Sequence, residues 1–432
     1  MNALIKEFRD LNLLDDHLGV VVGAGASGIA AARLLAELGA QVRVVDTNTK
    51  VDPSVVAAIG FDVDLQLGPH SRVQFDDADI VVLSPGVPVK KMTDVLTGVP
   101  ARKIVAELEL ASWFTVAPVL AVTGTNGKTT TTTLISHILE HAGKKVFTGG
   151  NIGTPLCQYL LDSEPADVLV LEVSSFQLQN VRLFRPHVGL LLNFSANHLD
   201  YHVDMEEYLQ AKLNLFAQQD EQDTAILPLW MKQELEERNI GNGTRLYFEP
   251  QDLFEAPHLP GAHNRANITA AWLAVREFGV TEAQAAEAIR VFKPLSHRQE
   301  PVAEKNGVLF VDDSKATNLD AVIAAVQSFD RPVRLLLGGV FKGGDVATLL
   351  PACLGRVVQV GLFGAGRDTF EGPLKTKFDL FWEDNLEKAV GRLAADAKPG
   401  DVVLLSPATA SFDAYKSYAD RGDHFRRIVE DL

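Results

Sequence analysis

The chain has 432 residues, long for one hydrophobic core, so two or three domains are expected. Its formal net charge of −16 excludes a broad surface for nucleic acid or anionic membrane; an anionic ligand must be met by local lysines, arginines, metal ions and helix N-termini. No apolar run approaches a membrane span, and the charges in MNALIKEFRD interrupt the apolar core a signal peptide needs, so a cytoplasmic location is expected. Cys157 and Cys353 lie far apart and outside any CxxC pair, which indicates neither a disulfide framework nor a zinc site.

The first predicted unit is VVVGAGASGIAAARLLAELGAQVRVVD, residues Val20 to Asp46. An apolar strand runs into Gly23, Gly25 and Gly28 at GxGxxG spacing, a helix is predicted from Ser27 to Leu38, and Asp46 ends a second strand. Glycines let the backbone approach a diphosphate, the helix N-terminus offers free N–H groups, and Asp46 is placed to reach a ribose or base. A dinucleotide, a nucleoside diphosphate and a tight turn without a ligand all satisfy this pattern. Apolar β-rich runs then alternate with helical patterns to the end of the chain, at 80–83, 119–122, 168–173, 188–192, 309–311, 333–337, 357–362 and 402–405. That alternation predicts parallel sheets covered by helices. Two segments read as boundaries, the helical stretch ARKIVAELELASWF and VFKPLSHRQEPVAEKNG, which separates a long helix from the last group of strands, dividing the chain into 1–106, 107–297 and 298–432.

In the middle third, PVLAVTGTNGKTTTTTLISHILEHAG ends a strand in a loop with Gly124 and Gly127 and opens a helix with Lys128 and Thr129. Such a loop wraps N–H groups around phosphates, sets a lysine on the β and γ groups and offers a hydroxyl to Mg²⁺. Val122 stands where the strict GxxxxGK[ST] pattern has its first glycine. Glu172 ends the run VLVLEV at the carboxyl end of a strand, where Mg²⁺ beside a phosphate loop is the natural partner and an ion pair with a lysine or arginine the alternative. Asn193, His198 and Asp200 follow the next strand, and Lys212 falls in the amphipathic MEEYLQAKLNLF, where spacing alone suits a solvated lysine. In the last third, Asp313, Lys315, Thr317, Lys342 and Ser411 each follow a strand and so gather at one end of a sheet.

TGTNGKTT, LEVSSFQL, NHLDYH, GAHNRAN, SHRQE and DDSKATN, in this order, with LSPGVP near the start, resemble the Mur ligase superfamily. SSFQL, DSKATN and LLSPATASFDAYKSYADRGDHF together resemble its D-glutamate-adding branch. The resemblance implies an α/β protein of three domains: a Rossmann-like N-terminal domain for a UDP precursor, a central P-loop-type parallel-sheet domain for ATP, and a Rossmann-like C-terminal domain for D-glutamate. It implies that ATP phosphorylates the carboxylate of UDP-N-acetylmuramoyl-L-alanine and that the amine of D-glutamate attacks the acyl phosphate, with Lys128, His198 and Lys212 as the catalytic residues. By the same resemblance Ala26, Ser27, Asp46, Thr47, Ser84, Asn151 and His198 contact the precursor, so NAD is not expected. Gly124, Thr125, Asn126, Gly127, Lys128, Thr129, Thr130, Asn264, Asn267, Arg298 and Asp313 match positions that contact ATP. Thr317, Lys342, Ser411, Phe412 and Tyr418 match those around D-glutamate, the last two departing from the leucine and phenylalanine expected there. Thr129 and Glu172 are implied to hold one Mg²⁺, and His198 with a carbamylated Lys212 a second; a monomer is implied. Ligation of another amino acid, a folate in place of the precursor, a nicotinamide-dependent oxidoreductase and a non-catalytic nucleotide-binding regulator are the competing readings.

Overall fold

The computed structural model describes all residues except Met1, Asn2, Asn12, Pro53, Val55, Ala57, Ala58, Pro88, Leu199 and Asp200, so the expectation for Asp200 lies outside the described residues. Three sheets follow one another along the chain. The first joins β1 (Leu18–Val22), β2 (Gln41–Asp46), β3 (Val63–Leu67), β4 (Ile80–Leu83) and β5 (Ile104–Ala106) in the order β3-β2-β1-β4-β5, all parallel. The segment ARKIVAELELASWF is therefore not helical throughout: after one 3₁₀ turn, Ala101–Lys103, it runs as strand β5 and continues as the helix Glu107–Ser112. The β-branched residues of Ile104 and Val105 favour the pleated surface next to β4 over a helix.

The second sheet is built from β6 (Val119–Thr123), β7 (Val146–Gly150), β8 (Val168–Glu172), β9 (Val188–Leu191), β10 (Thr224–Pro228) and β11 (Thr244–Phe248), again parallel, in the order β11-β10-β9-β6-β8-β7. β6 lies between β8 and β9, with Val122 beside Glu172 and Thr123 beside Leu191. The loop leaving β6 is thus flanked by the loops leaving its two neighbours. That is the switch point at which open α/β sheets place their ligands.

The third sheet contains β12 (Glu300–Lys305), β13 (Val308–Asp312), β14 (Val333–Gly338), β15 (Val357–Phe363), β16 (Asp379–Glu383) and β17 (Val402–Leu405), ordered β12-β13-β17-β14-β15-β16. β12 pairs antiparallel with β13, so this sheet is not wholly parallel, and the boundary segment VFKPLSHRQEPVAEKNG itself holds a strand. Its alternation of half-buried and exposed residues is that of an edge strand, which an apolar-run search passes over.

The first two sheets share a continuous core. Leu34 and Leu35 of the helix Ala26–Glu37 belong to one buried cluster with Leu160 and Leu161 of the helix Leu156–Asp162. Each such leucine contributes about 1.5–3 kcal/mol by leaving water. Arg33 adds a bond to Asp162 at 2.8 Å on the rim.

Candidate functional site

The glycine turn after β1 opens on a cleft of about 660 Å³. Ala26, Ser27, Asp46, Thr47 and Ser84 line it together with Asn151 of the second sheet, and so do His70 and Gln177, which the sequence reading did not single out. Gly28 is forced: a Cβ there would stand 1.8 Å from the Gly23 carbonyl oxygen. Asp46 is less free than expected. Its Oδ2 accepts the Ala24 N–H at 2.7 Å and its Oδ1 the Asn48 N–H at 2.8 Å, so the carboxylate braces the turn as well as facing the cleft.

A second cleft lies at the end of the middle sheet. Gly124 (φ 149°) and Gly127 (φ 81°) shape the loop after β6, and Gly127 leads into the helix Lys128–His141. Asn193 after β9 fixes this loop by accepting the Thr125 and Asn126 N–H groups at 3.1 and 2.9 Å and donating to the Asn126 carbonyl. Lys128 Nζ donates to the carbonyls of Gly124 and Thr125, each at 2.9 Å, and burial lowers its pKa. Thr129 Oγ1 donates to Glu172 Oε2 at 2.6 Å and Asn151 Nδ2 to Glu172 Oε1 at 2.7 Å. Glu172 is only 2% exposed, yet among the described residues no lysine or arginine pairs with it within 4.0 Å. A buried carboxylate with a hydroxyl beside it and no protein cation in contact is a hard-oxygen donor set that suits Mg²⁺.

Lys212 is not a solvated lysine. It is 1% exposed, lies 4.5 Å from the centre of the Tyr208 ring and donates to the Gly124 carbonyl at 2.9 Å; burial drives its pKa well below the usual lysine value. His198 lines the same cleft in a left-handed backbone conformation (φ 57°), its ring 4.8 Å from that of Phe176. Burial and the neighbouring lysines push its pKa to about 3, so the imidazole is neutral with a lone pair to give.

The third sheet closes this cleft. Arg298, Lys315, Thr317, Asn318 and Lys342 line it opposite Lys128, Glu172 and His198, and Asn318 Nδ2 bonds Asn126 Oδ1 of the loop at 3.1 Å. On the other side of the loop a narrower cleft is lined by Asn126, Gly127, Thr130, Asn264, Asn267, Arg298 and Asp313, and by His263 and Gln299, which the sequence reading missed. Asn267 packs directly on the loop: a Cβ on Gly127 would lie 2.6 Å from its Oδ1. Burial raises the pKa of Asp313 to about 7, although Ser406 Oγ donates to it at 2.9 Å. Ser411, Phe412 and Tyr418 do not line these clefts. Ser411 is buried, Phe412 is 74% exposed, and the Tyr418 ring carries Lys315 Nζ at 3.8 Å from its centre.

Three α/β units, with a phosphate-type loop at the mouth of the middle sheet facing lysine-bearing loops of the third, define a three-domain nucleotide-dependent ligase. Residues 17–97 match the Mur ligase MurD-like N-terminal domain, 122–249 the Mur ligase middle domain and 297–409 the Mur ligase glutamate ligase domain. The chain belongs to the Mur ligase family, ATP-dependent ligases that form peptide bonds in peptidoglycan biosynthesis. It is 52% identical to the UDP-N-acetylmuramoylalanine–D-glutamate ligase of Oleidesulfovibrio alaskensis over 95% of this chain and 93% of that one. It is 50% identical to the enzyme of the same name from Desulfovibrio desulfuricans over 99% of both. Among solved structures, MurF ligase from Thermotoga maritima in complex with ADP aligns over the whole of both chains with a TM-score of 0.61 and 19% identity. At that identity the likeness is one of fold. Among the described residues no helix is long and apolar enough to cross a membrane.

Proposed function

We propose that this chain adds D-glutamate to UDP-N-acetylmuramoyl-L-alanine, as a cytoplasmic monomer, with residues 1–106 holding the precursor, 107–297 ATP and 298–432 D-glutamate. One observation carries this: the loop cleft of Lys128, Glu172 and Lys212 faces Thr317 and Lys342 on one side and shares Asn151 with the cleft of Ser27 and Asp46 on the other. Three substrates meet where these surfaces join.

A carboxylate oxygen of the alanyl group attacks the γ-phosphorus of ATP, and ADP leaves. The amine of D-glutamate then attacks the carbonyl carbon of the acyl phosphate; phosphate departs with the C–O electron pair and the nitrogen loses a proton, leaving the amide. Negative charge grows on the transferring phosphoryl group in the first step, and cations placed beforehand stabilise it. Lys128 supplies that charge from the loop, with the N–H groups of Gly127 and Lys128 presented by the turn that Asn193 holds through the Asn126 N–H and carbonyl. Arg298 and Lys315 face it from the third sheet. Thr129 and Glu172 would hold one Mg²⁺, and His198 with a carbamylated Lys212 a second, divalent charge there neutralising the phosphate oxygens. Asn264, Asn267 and Asp313 line the side of the loop suited to the nucleoside of ATP, while Ser411, Phe412 and Tyr418 would support the D-glutamate side from behind Thr317 and Lys342. The assembled cleft also excludes water, which would hydrolyse the acyl phosphate.

The glycine turn after β1 is expected to take the UDP precursor and to ignore nicotinamide dinucleotides. Calorimetric titration compares the two: precursor binding with no heat from NAD or NADP is the expected result, and the reverse would sink the assignment.

A further inference from the structure

Arg421 is 0% exposed, in the helix Tyr418–Asp431, and among the described residues no carboxylate pairs with it. Its donors are used on three separate loops. Nε donates to Ser314 Oγ at 2.9 Å and Nη2 to the Ser314 carbonyl at 2.8 Å, after β13. Nη2 also donates to the Thr409 carbonyl at 3.1 Å, after β17, and Nη1 to the Gly338 carbonyl at 3.4 Å, at the end of β14. β13, β17 and β14 are neighbours in the sheet, with Asp312 and Leu336 both in register with Leu405, so the three loops emerge side by side. They carry Lys315 and Thr317, Ser411, and Lys342 respectively. The seat of the arginine is equally constrained: a Cβ on the next residue, Gly422, would stand 2.1 Å from His297 Nδ1, which bonds Asp312 at 2.6 Å.

A buried guanidinium with no carboxylate in contact is costly, and its hydrogen bonds, together with the attraction of Asp413 and Asp312 farther off, offset that cost. All of these bonds go to backbone carbonyls and hydroxyls; the β14 and β17 loops are also tied directly, by Thr409 Oγ1 donating to the Gly338 carbonyl and by the Val340–Ala410 backbone pair, and Arg421 bonds both of them and the Ser314 loop at once. From this geometry we infer that Arg421 is a positioning residue for the amino-acid substrate, fixing the three loops of the third sheet in the one arrangement in which Thr317, Lys342 and Ser411 act together. The inference rests on the proposed D-glutamate side of the cleft. The nucleotide side has holds of its own: the Asp313 N–H bonds the Leu405 carbonyl at 2.8 Å and its carboxylate accepts from Ser406, so only Lys315, next to Ser314, links it to Arg421.

Arg421→Lys keeps the charge and loses the fork that reaches all three loops at once; Arg421→Ala removes both. Steady-state kinetics and thermal unfolding are measured on the two variants and the wild type. The expected result for Arg421→Lys is a KM for the amino acid raised about tenfold or more, since small misplacements of a binding group are magnified in the reaction. KM for the precursor stays within about twofold, as for a site without shared partners, and KM for ATP rises less than that for the amino acid. Acyl-phosphate formation without amino acid, trapped by hydroxylamine, persists. Arg421→Ala shifts the same constant further and unfolds earlier. An Arg421→Lys enzyme with unchanged amino-acid KM, or with all three constants raised alike, overturns the positioning role. A wild type that ligates a different amino acid refutes the D-glutamate reading alone, and the same comparison is then made on that amino acid.

Discussion

Lys128→Ala is expected to lower ADP release by about 10³-fold or more, the scale of removing a charge aimed at a developing oxyanion. Precursor affinity should stay within about twofold, because Lys128 does not line the glycine-turn cleft. The loss is chemical and not a collapse of the loop. Asn193 still bonds Thr125 and Asn126, and Lys212 still bonds the Gly124 carbonyl, so the backbone cradle survives without the Lys128 ammonium. Turnover and precursor titration on the same preparation separate the two effects. Wild-type turnover in this variant would show that the loop only caps its helix.

Lys212 is expected to carry a CO₂ adduct. Carbamate forms when a neutral amine attacks CO₂, making an N–C bond and releasing one proton, so an ordinary surface lysine is a poor candidate at neutral pH. Burial and the nearby Lys128 lower the pKa of Lys212 well below the usual value, which keeps its lone pair available. The sign with pH follows: acidification protonates the amine and removes the adduct. The product is an anion with two hard oxygens beside His198, where an ammonium has nothing to offer a metal. Removal of dissolved CO₂ should cut turnover by about 10²-fold, in the range of losing one preorganised electrostatic group, with recovery on adding bicarbonate. A carbamate carbon signal after ¹³C-bicarbonate labelling should follow the activity. Full activity with an unmodified amine would contradict the proposal.

What could be read from the chain in advance was what local chemistry dictates. Gly23, Gly28, Gly124 and Gly127 announce themselves because only glycine fits their conformations or close approaches, and the apolar runs before them mark strands. Glu172 was legible for a similar reason, as a carboxylate ending a run of buried residues. β3, β5, β7, β10, β11, β12 and β16 were missed; β12 is an edge strand of half-buried and exposed residues, and β5 is three residues long inside a helical pattern. Lys212 looked solvated because Tyr208 and the Gly124 carbonyl, which bury it, come from its own helix and from a loop 88 residues earlier. His70 gave no signal, and Gln177, His263, Gln299 and Arg421, although inside SSFQL, GAHNRAN, SHRQE and YADRGDHF, were not marked individually by those motifs. Each acquires its place only when distant segments meet, as Arg421 does between loops 12, 83 and 107 residues away.

The central claim is that three substrates are joined across one cleft, and the direct measurement is ADP release with a panel of UDP-muramoyl precursors and amino acids. Release that requires UDP-N-acetylmuramoyl-L-alanine and D-glutamate together, with formation of their amide, is the expected result. Equal release with other amino acids or precursors, or release that is indifferent to both, would contradict it.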